Sequence, residues 1–328
     1  MTQPELWQGP IVDAHQHFWD PGRNPHPWLK PDANIPFRYG DYSSIKRRYL
    51  PAEYFVDTTG HDVRQTVYVE TEWDEKDPIG ETRYATSLAE EFGVPNAIVA
   101  QAWLDRPDVG EVLAGQAAFG LVRSVRHKPG GPQRPEDVGA QRTLMSDDRW
   151  RRGYALLSRH GLNFDLQTPW WNLAEAVDLA RSFPETTIVL NHAGLPSDRS
   201  EAGLTGWHAA MAKLAECANV RVKISGIGLA GLPWRVSDNR RIVEEIIAIF
   251  GADRAMFASN FPVDSLCASF DTIYTGFKMI AARYSPAEQA KLFAETTCET
   301  YSLPQLGAAS KAPTASPLEP AHLPRAAS

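Results

Sequence analysis

Eight short runs rich in β-branched and aromatic residues, most of them separated by amphipathic stretches, constrain the fold of this chain more than any other feature. They are residues 11–17 (IVDAHQH), 66–72 (TVYVETE), 97–103 (AIVAQAW), 121–127 (LVRSVRH), 162–168 (LNFDLQT), 186–192 (TTIVLNH), 220–226 (VRVKISG) and 255–260 (AMFASN). Between the fifth and sixth runs, Leu173, Ala176, Val177, Ala180 and Phe183 fall on one helical face; Ile242, Val243, Ile246, Ile247 and Phe250 do the same before the last. Gly161 and Gly251 stand just past helix ends, where a left-handed cap is easiest for glycine. Strands alternating with helices predict a parallel sheet, and eight such units predict a closed (β/α)₈ TIM barrel of the α/β class. The glycine-rich dinucleotide and phosphate-loop motifs are absent, which weighs against an open nucleotide-binding sheet.

The barrel is expected to occupy residues 1–303 and a disordered Pro/Ala/Ser-rich tail residues 304–328, a tail in which His322 carries no site argument. The segment from Phe18 to Leu50 holds Trp19, Trp28, Phe37, Arg38 and Tyr42, too many aromatics for a linker. Following the first strand, it reads as a lid over the barrel mouth. A net charge of −7 without a basic stripe speaks against nucleic acid as a partner. Cys217, Cys267 and Cys298 lie too far apart for a disulfide framework or a cysteine metal site, so a reducing cytoplasm is expected. The opening MTQPELWQGP lacks the charged and apolar regions of a secretory leader, and no apolar run approaches the roughly 18 residues of a membrane helix. A soluble protein with a small-molecule substrate is the expectation, and the aromatic-rich loops leave room for a homodimer.

In such a barrel, chemistry stands at the C-terminal ends of the strands. Here those ends are polar. The first offers His15 and His17, which an extended strand projects to one face, and the second offers Glu70 and Glu72 at the same spacing. Arg126 and His127 end the fourth, Asp165 and Gln167 lie on the fifth ahead of Trp170 and Trp171, and His192 ends the sixth. Lys223 and Ser225 lie on the seventh, and Asn260 ends the eighth with Asp264 soon after. Each has an ordinary structural explanation. Arg126 can form a surface ion pair, Lys223 can reach outward, and the tryptophans can be core. Polar groups on seven of eight ends are better explained by a shared polar pocket, since burying them unpaired is costly.

DAHQHFWDP at Asp13–Pro21, LNHAGLP at Leu190–Pro196, KISGIG at Lys223–Gly228 and FASNFPVD at Phe257–Asp264 resemble the amidohydrolase superfamily. Within it they resemble the branch of sugar-acid lactonases and 2-pyrone-4,6-dicarboxylate lactonase, over about residues 9–303. The resemblance implies a hydrolase whose site includes His15, His17 and His192, with Arg126 holding a substrate carboxylate. Two departures stand out. The strand-4 lysine and strand-5 histidine of two-metal members have no counterpart, so a binuclear site is not expected. The strand-8 aspartate is Asn260, whose amide cannot act as a general base.

The expected activity is a lactonase opening the ring ester of a carboxylated or sugar-derived lactone, with an anionic substrate expected. His15, His17 and His192, with or without one divalent Zn or Mn ion held by them, would polarise the carbonyl. Asp264 or Glu70 (with Glu72 a further candidate) would take the proton from water. Arg126, His127 and Lys223 would hold the carboxylate, while Trp19, Trp73, Trp103, Trp170 and Trp171 would wall the pocket. The alternatives are a metal-dependent decarboxylase of aromatic acids, and a catalytically degenerate barrel that binds a small acid.

Overall fold

In the computed structural model, which describes residues 5–306, the β-branched runs form eight parallel strands in the order of the chain. They are β1 (Ile11–Gln16), β2 (Val63–Val69), β3 (Ala97–Gln101), β4 (Val122–Arg126), β5 (Asn163–Leu166), β6 (Ile188–Leu190), β7 (Val220–Ile224) and β8 (Ala255–Phe257). Eight helices follow in alternation: α1 (Pro51–Asp57), α2 (Gly80–Phe92), α3 (Val109–Ala117), α4 (Asp148–Tyr154), α5 (Leu173–Ser182), α6 (Glu201–Ala215), α7 (Val236–Phe250) and α8 (Phe270–Ala281). The last strand meets the first through two backbone bonds, Asn260 N–H to the His15 carbonyl (2.7 Å) and His17 N–H to the Phe261 carbonyl (2.8 Å). The (β/α)₈ barrel is thereby completed just where the first-strand histidines stand.

Alternation divides the core in two. Phe164 and Leu166, Ile188 and Leu190, and Val222 and Ile224 join the large outer layer between sheet and helices. Val12, Ala14, Val67, Val69, Val99, Val189, Met256 and Ala258 form a separate cluster within the barrel, packed with Cys298 and Tyr301 from the C-terminal helical segment. A wholly apolar lumen would bury this surface most simply, yet Asp165 and Lys223 lie within it, both fully buried and 2.6 Å apart. The pair is tolerable because Asp165 also accepts bonds from Ser124 (2.7 Å), Asn191 (2.8 Å) and the Tyr301 hydroxyl (3.0 Å).

The long segment after β1 does cover the mouth. Trp28, Phe37 and Tyr42 stack on one another, and Trp28 Nε1 donates to the Thr71 carbonyl (2.8 Å). Trp19 is fully buried at its root, its Nε1 donating to the Ile45 (3.1 Å) and Arg47 (3.0 Å) carbonyls. At the other terminus Leu303 is still buried, and Pro304 accepts a bond from Gln65 (3.2 Å). The remainder of the expected tail, from residue 307, lies outside the described residues. Among the described residues no helix is long and apolar enough to cross a membrane.

Candidate active site

His15, His17 and His192 come together at the mouth. The His15 ring centre lies 4.9 Å from that of His17 and 4.6 Å from that of His192. His192 reaches this position because the chain leaves β6 through left-handed backbone, at φ 53° for His192 and 55° for Ala193. All three rings are buried, and burial is the main cause that drives them to the neutral form, with His17 pulled down to about 3. Nearby cations add to it: Lys223 beside His15, Arg126 beside His17, and Arg38 beside His192.

The His17 ring stands 2.7 Å from the Val69 carbonyl through Nδ1, which therefore carries the hydrogen. Its Nε2 faces the Asn260 side chain, with Oδ1 at 3.2 Å, and Asn260 Nδ2 donates to Asp264 Oδ1 (2.6 Å). Two oxygen contacts would require a hydrogen on both nitrogens of His17. A neutral ring instead needs a donor at Nε2, which Asn260 supplies with its amide turned over. The amide oxygen then faces Asp264, which must be protonated. Burial pushes the Asp264 carboxyl up, against the lowering effect of Arg38, Asn260, Tyr39 and the Gly226 N–H. The two amide orientations thus differ by where one proton sits, on His17 or on Asp264.

Glu70 and Arg126, expected as base and substrate clamp, instead hold one another. Arg126 Nε donates to Glu70 Oε1 (2.5 Å) and Nη2 to the Glu70 carbonyl, while Nη1 is taken by Gln167 (2.9 Å) and Asn191 (3.4 Å). Burial alone would raise the Glu70 carboxyl; Arg126, with Lys128 and the Glu72 N–H, more than offsets it and holds the group below its usual value. Glu70 is therefore a poor base.

Three cavities adjoin at the mouth. The central one, 280 Å³, is lined by His17, His192, Asn260, Arg126 and Gln167, with Trp28, Phe37 and Arg38 of the lid. A cavity of 760 Å³ on one side is bounded by Glu70, Glu72, Trp73, Trp103, Arg126 and His127. A cavity of 570 Å³ on the other is bounded by Arg38, Tyr39, Gln167, Trp171, Arg199 and Gly226. Lys128, ion-paired with Glu72, borders all three.

The family model described as Amidohydrolase matches residues 12–303. The chain belongs to the amidohydrolase family. It is 38% identical over 296 residues to the uncharacterized protein y4mH of Sinorhizobium fredii, covering 89% of this chain and 98% of that one. It is 27% identical over 306 residues to an L-fucono-1,5-lactonase of Burkholderia multivorans, covering 90% and 96% of the two chains. A zinc-bound amidohydrolase crystal structure from Burkholderia multivorans superposes with a TM-score of 0.74 at 25% identity, over 90% of this chain and 99% of that one.

In this amidohydrolase, several expected site residues do not face the cavities. Lys223 is sealed in the lumen on Asp165. Trp170 stands over Gly206 of α6 and borders an outer groove with Leu173 and Ala210. Trp19 is buried beneath the lid, its ring 5.9 Å from that of His17, where it supports rather than contacts a ligand. His127 borders the 760 Å³ cavity, but its Nδ1 accepts from Trp150 Nε1 (2.9 Å) and the Leu104 N–H (3.1 Å). Trp171, Trp73 and Trp103 do line cavity walls. Arg38, Tyr39, Asn191 and Arg199 were not assigned to the site from sequence, and Ser225, noted on the seventh strand, was given no role, because their contacts cross the chain and follow no periodicity. Arg38 Nη2 donates to Asp264 (3.3 Å), as does the Tyr39 hydroxyl (3.1 Å), and Ser225 Oγ lies 2.9 Å from His192 Nδ1.

A single metal ion on His15, His17 and His192 meets a specific difficulty. Among the described residues no three His, Cys, Asp or Glu side chains form a group arranged to hold one. Both His17 nitrogens are engaged, His192 Nδ1 is taken by Ser225, and strand 8 presents an amide at Asn260. His15 alone keeps both ring nitrogens buried and unpartnered. As they stand, these donors do not fit a held ion.

Proposed function

We propose that this amidohydrolase is a lactonase that opens the ring ester of a carboxylated or sugar-derived lactone to its hydroxy acid. The observation that carries the reading is the cluster of three buried, neutral imidazoles, two of which open onto the central cavity. The match to L-fucono-1,5-lactonase along 90% of the chain supports the same substrate class.

The lactone carbonyl enters beside His17 and His192. Neutral His192 suits this position, since with Ser225 on Nδ1 its Nε2 can carry the hydrogen and donate to the carbonyl oxygen without a charge of its own, whereas the His17 hydrogen faces Val69 and that ring positions Asn260. The positive field of Arg38, Arg126 and Lys223, which adds to burial in disfavouring protonated rings, favours the oxyanion that forms as water attacks. The proton from water passes to Asp264 in its ionised form, the amide orientation in which Asn260 Nδ2 donates to it, and its raised affinity for protons makes it a better base than Glu70. It then returns to the alkoxide released when the ring C–O bond breaks. Asn260 supplies no base and serves to position His17 and Asp264. Arg38, Tyr39 and Asn260 cover Asp264, so the reading requires the lid pair to shift during turnover.

The test is a pH-indicator assay of purified protein on a panel of γ- and δ-lactones that includes L-fucono-1,5-lactone. It is run on chelator-treated protein and again with added Zn²⁺ or Mn²⁺. Opening of at least one lactone is expected, and none opened under any condition refutes the reading. Asn260 favours one second reading, a barrel that binds a small acid without turnover; tight binding with no reaction would select it. Release of CO₂ from hydroxybenzoates would select a decarboxylase instead.

A further inference from the structure

Arg126 has most of its donors committed within the protein, to Glu70, Gln167 and Asn191, which leaves it badly placed to receive a substrate carboxylate. Two other guanidinium groups border the 570 Å³ cavity with donors to spare. Arg38 of the lid gives Nη2 to Asp264, while its Nη1 is buried and unpartnered. Arg199, just ahead of α6, donates only to neutral oxygens: the Ile227 carbonyl (2.6 Å), the Asp238 carbonyl (3.3 Å) and the Asn239 side chain (3.3 Å). Its Nε is likewise buried and unpartnered. Two buried N–H groups without acceptors, on cations whose side chains border one cavity, are costly unless a ligand satisfies them.

The backbone makes room for this arrangement. Gly226 follows β7 at φ 60°, and a Cβ there would come within 2.7 and 2.8 Å of the Arg38 guanidinium nitrogens and 2.8 Å of the His192 ring. Only glycine lets the guanidinium lie directly against the catalytic imidazole. Arg38 therefore borders both the central cavity and the cationic one, linking the reacting carbonyl to a group some way beyond it.

We propose that Arg38 and Arg199 form the subsite that holds the substrate's carboxylate, in the cavity arm beside Trp171, and that Arg126 is a structural residue. The proposal rests on the lactonase reading for the identity of the substrate, but not for the binding itself. Calorimetry therefore comes first, titrating the full chain with a panel of product-like acids: 2-hydroxyglutarate, tricarballylate and galactarate. At least one binds wild type, and Arg199→Gln weakens it about tenfold or more, the scale of one charge-assisted bond. Arg199→Lys recovers part of the loss, and an unchanged melting temperature excludes a folding defect.

Kinetics follow with 5-oxotetrahydrofuran-2-carboxylate against neutral γ-valerolactone. Arg199→Gln lowers the preference in kcat/KM for the carboxylated ring by a similar factor. Binding that depends on Arg199 without any lactone opening leaves the subsite standing and removes the lactonase reading. Lactone opening with the preference and affinity unchanged in Arg199→Gln overturns the subsite alone. Failure of every acid in the panel to bind wild type overturns it as well.

Discussion

Replacing Arg126 by methionine separates a structural ion pair from a substrate clamp. In the native protein Glu70 and Arg126 side chains are 2% and 4% exposed, and the guanidinium is the largest of the charges that compensate Glu70, ahead of Lys128. Removing it leaves a buried carboxylate without its cation, a change that costs about 3–5 kcal/mol. The double variant Glu70→Gln/Arg126→Met removes both charges and should recover most of that loss, to within about 1–2 kcal/mol of wild type. The pH dependence has a definite sign. Arg126 holds the Glu70 carboxyl below its usual value, so the pair's stability is present above the unfolded value and is lost as pH falls through the lower folded one. In Arg126→Met burial, the largest influence on that carboxyl, outweighs what Lys128 and the Glu72 N–H still supply and raises it, so the native variant takes up a proton more readily than its unfolded chain. The gap to wild type therefore narrows as pH falls from 7 toward 4. Urea denaturation read by tryptophan fluorescence, on wild type, Arg126→Met, Glu70→Gln and the double variant, measures the cycle. A loss below about 1 kcal/mol in Arg126→Met, with a large rise in KM for a carboxylated lactone, would refute the structural assignment.

Asn260→Asp sets a second carboxylate against Asp264, 2.6 Å away at present through the amide, and should lower stability at pH 7 by on the order of 2 kcal/mol. The loss eases on acidification as the pair takes up a proton, and thermal melts at pH 5 and 7 check the sign. If Asp264 is the base, kcat/KM falls on the acid side at a pH above the ordinary carboxylate value, because burial raises this group. Asp264→Asn then lowers kcat about 10²–10⁴-fold, and a full pH–rate profile reads both effects. Trp19→Phe strands the Ile45 and Arg47 carbonyls and should destabilise by about 1–3 kcal/mol, with faster proteolysis of the lid segment.

The barrel was legible because its signal is local. β-branched runs and helical faces repeat along the chain, and the eight strands lie within the expected runs or shifted from them by at most a few residues. The mismatches fall at the functional ends. The run 66–72 yields β2 at Val63–Val69 because the chain turns out of the ladder past Glu70, with Glu72 at φ 62°. The run 186–192 shortens to Ile188–Leu190 because His192 and Ala193 are left-handed. Site membership was partly legible too, since polar residues at strand ends have few other uses. Partnerships were not. Glu70 and Arg126 are 56 residues apart, and Lys223 meets Asp165 inside the barrel, where sequence reasoning had it facing a ligand. Arg38 carried no periodic signal, and only the glycine opposite it at Gly226 hinted at a close approach.

The account stands or falls on the buried imidazole cluster acting on a ring ester. The direct measurement is kcat/KM on the most reactive lactone of the panel for wild type, His17→Gln and His192→Gln, each checked for an unchanged fold by circular dichroism. The account predicts a loss of about 100-fold or more in His192→Gln, the scale of removing one donor to a developing oxyanion, and a smaller loss in His17→Gln, which positions Asn260. Variants that open the lactone as fast as wild type would contradict it.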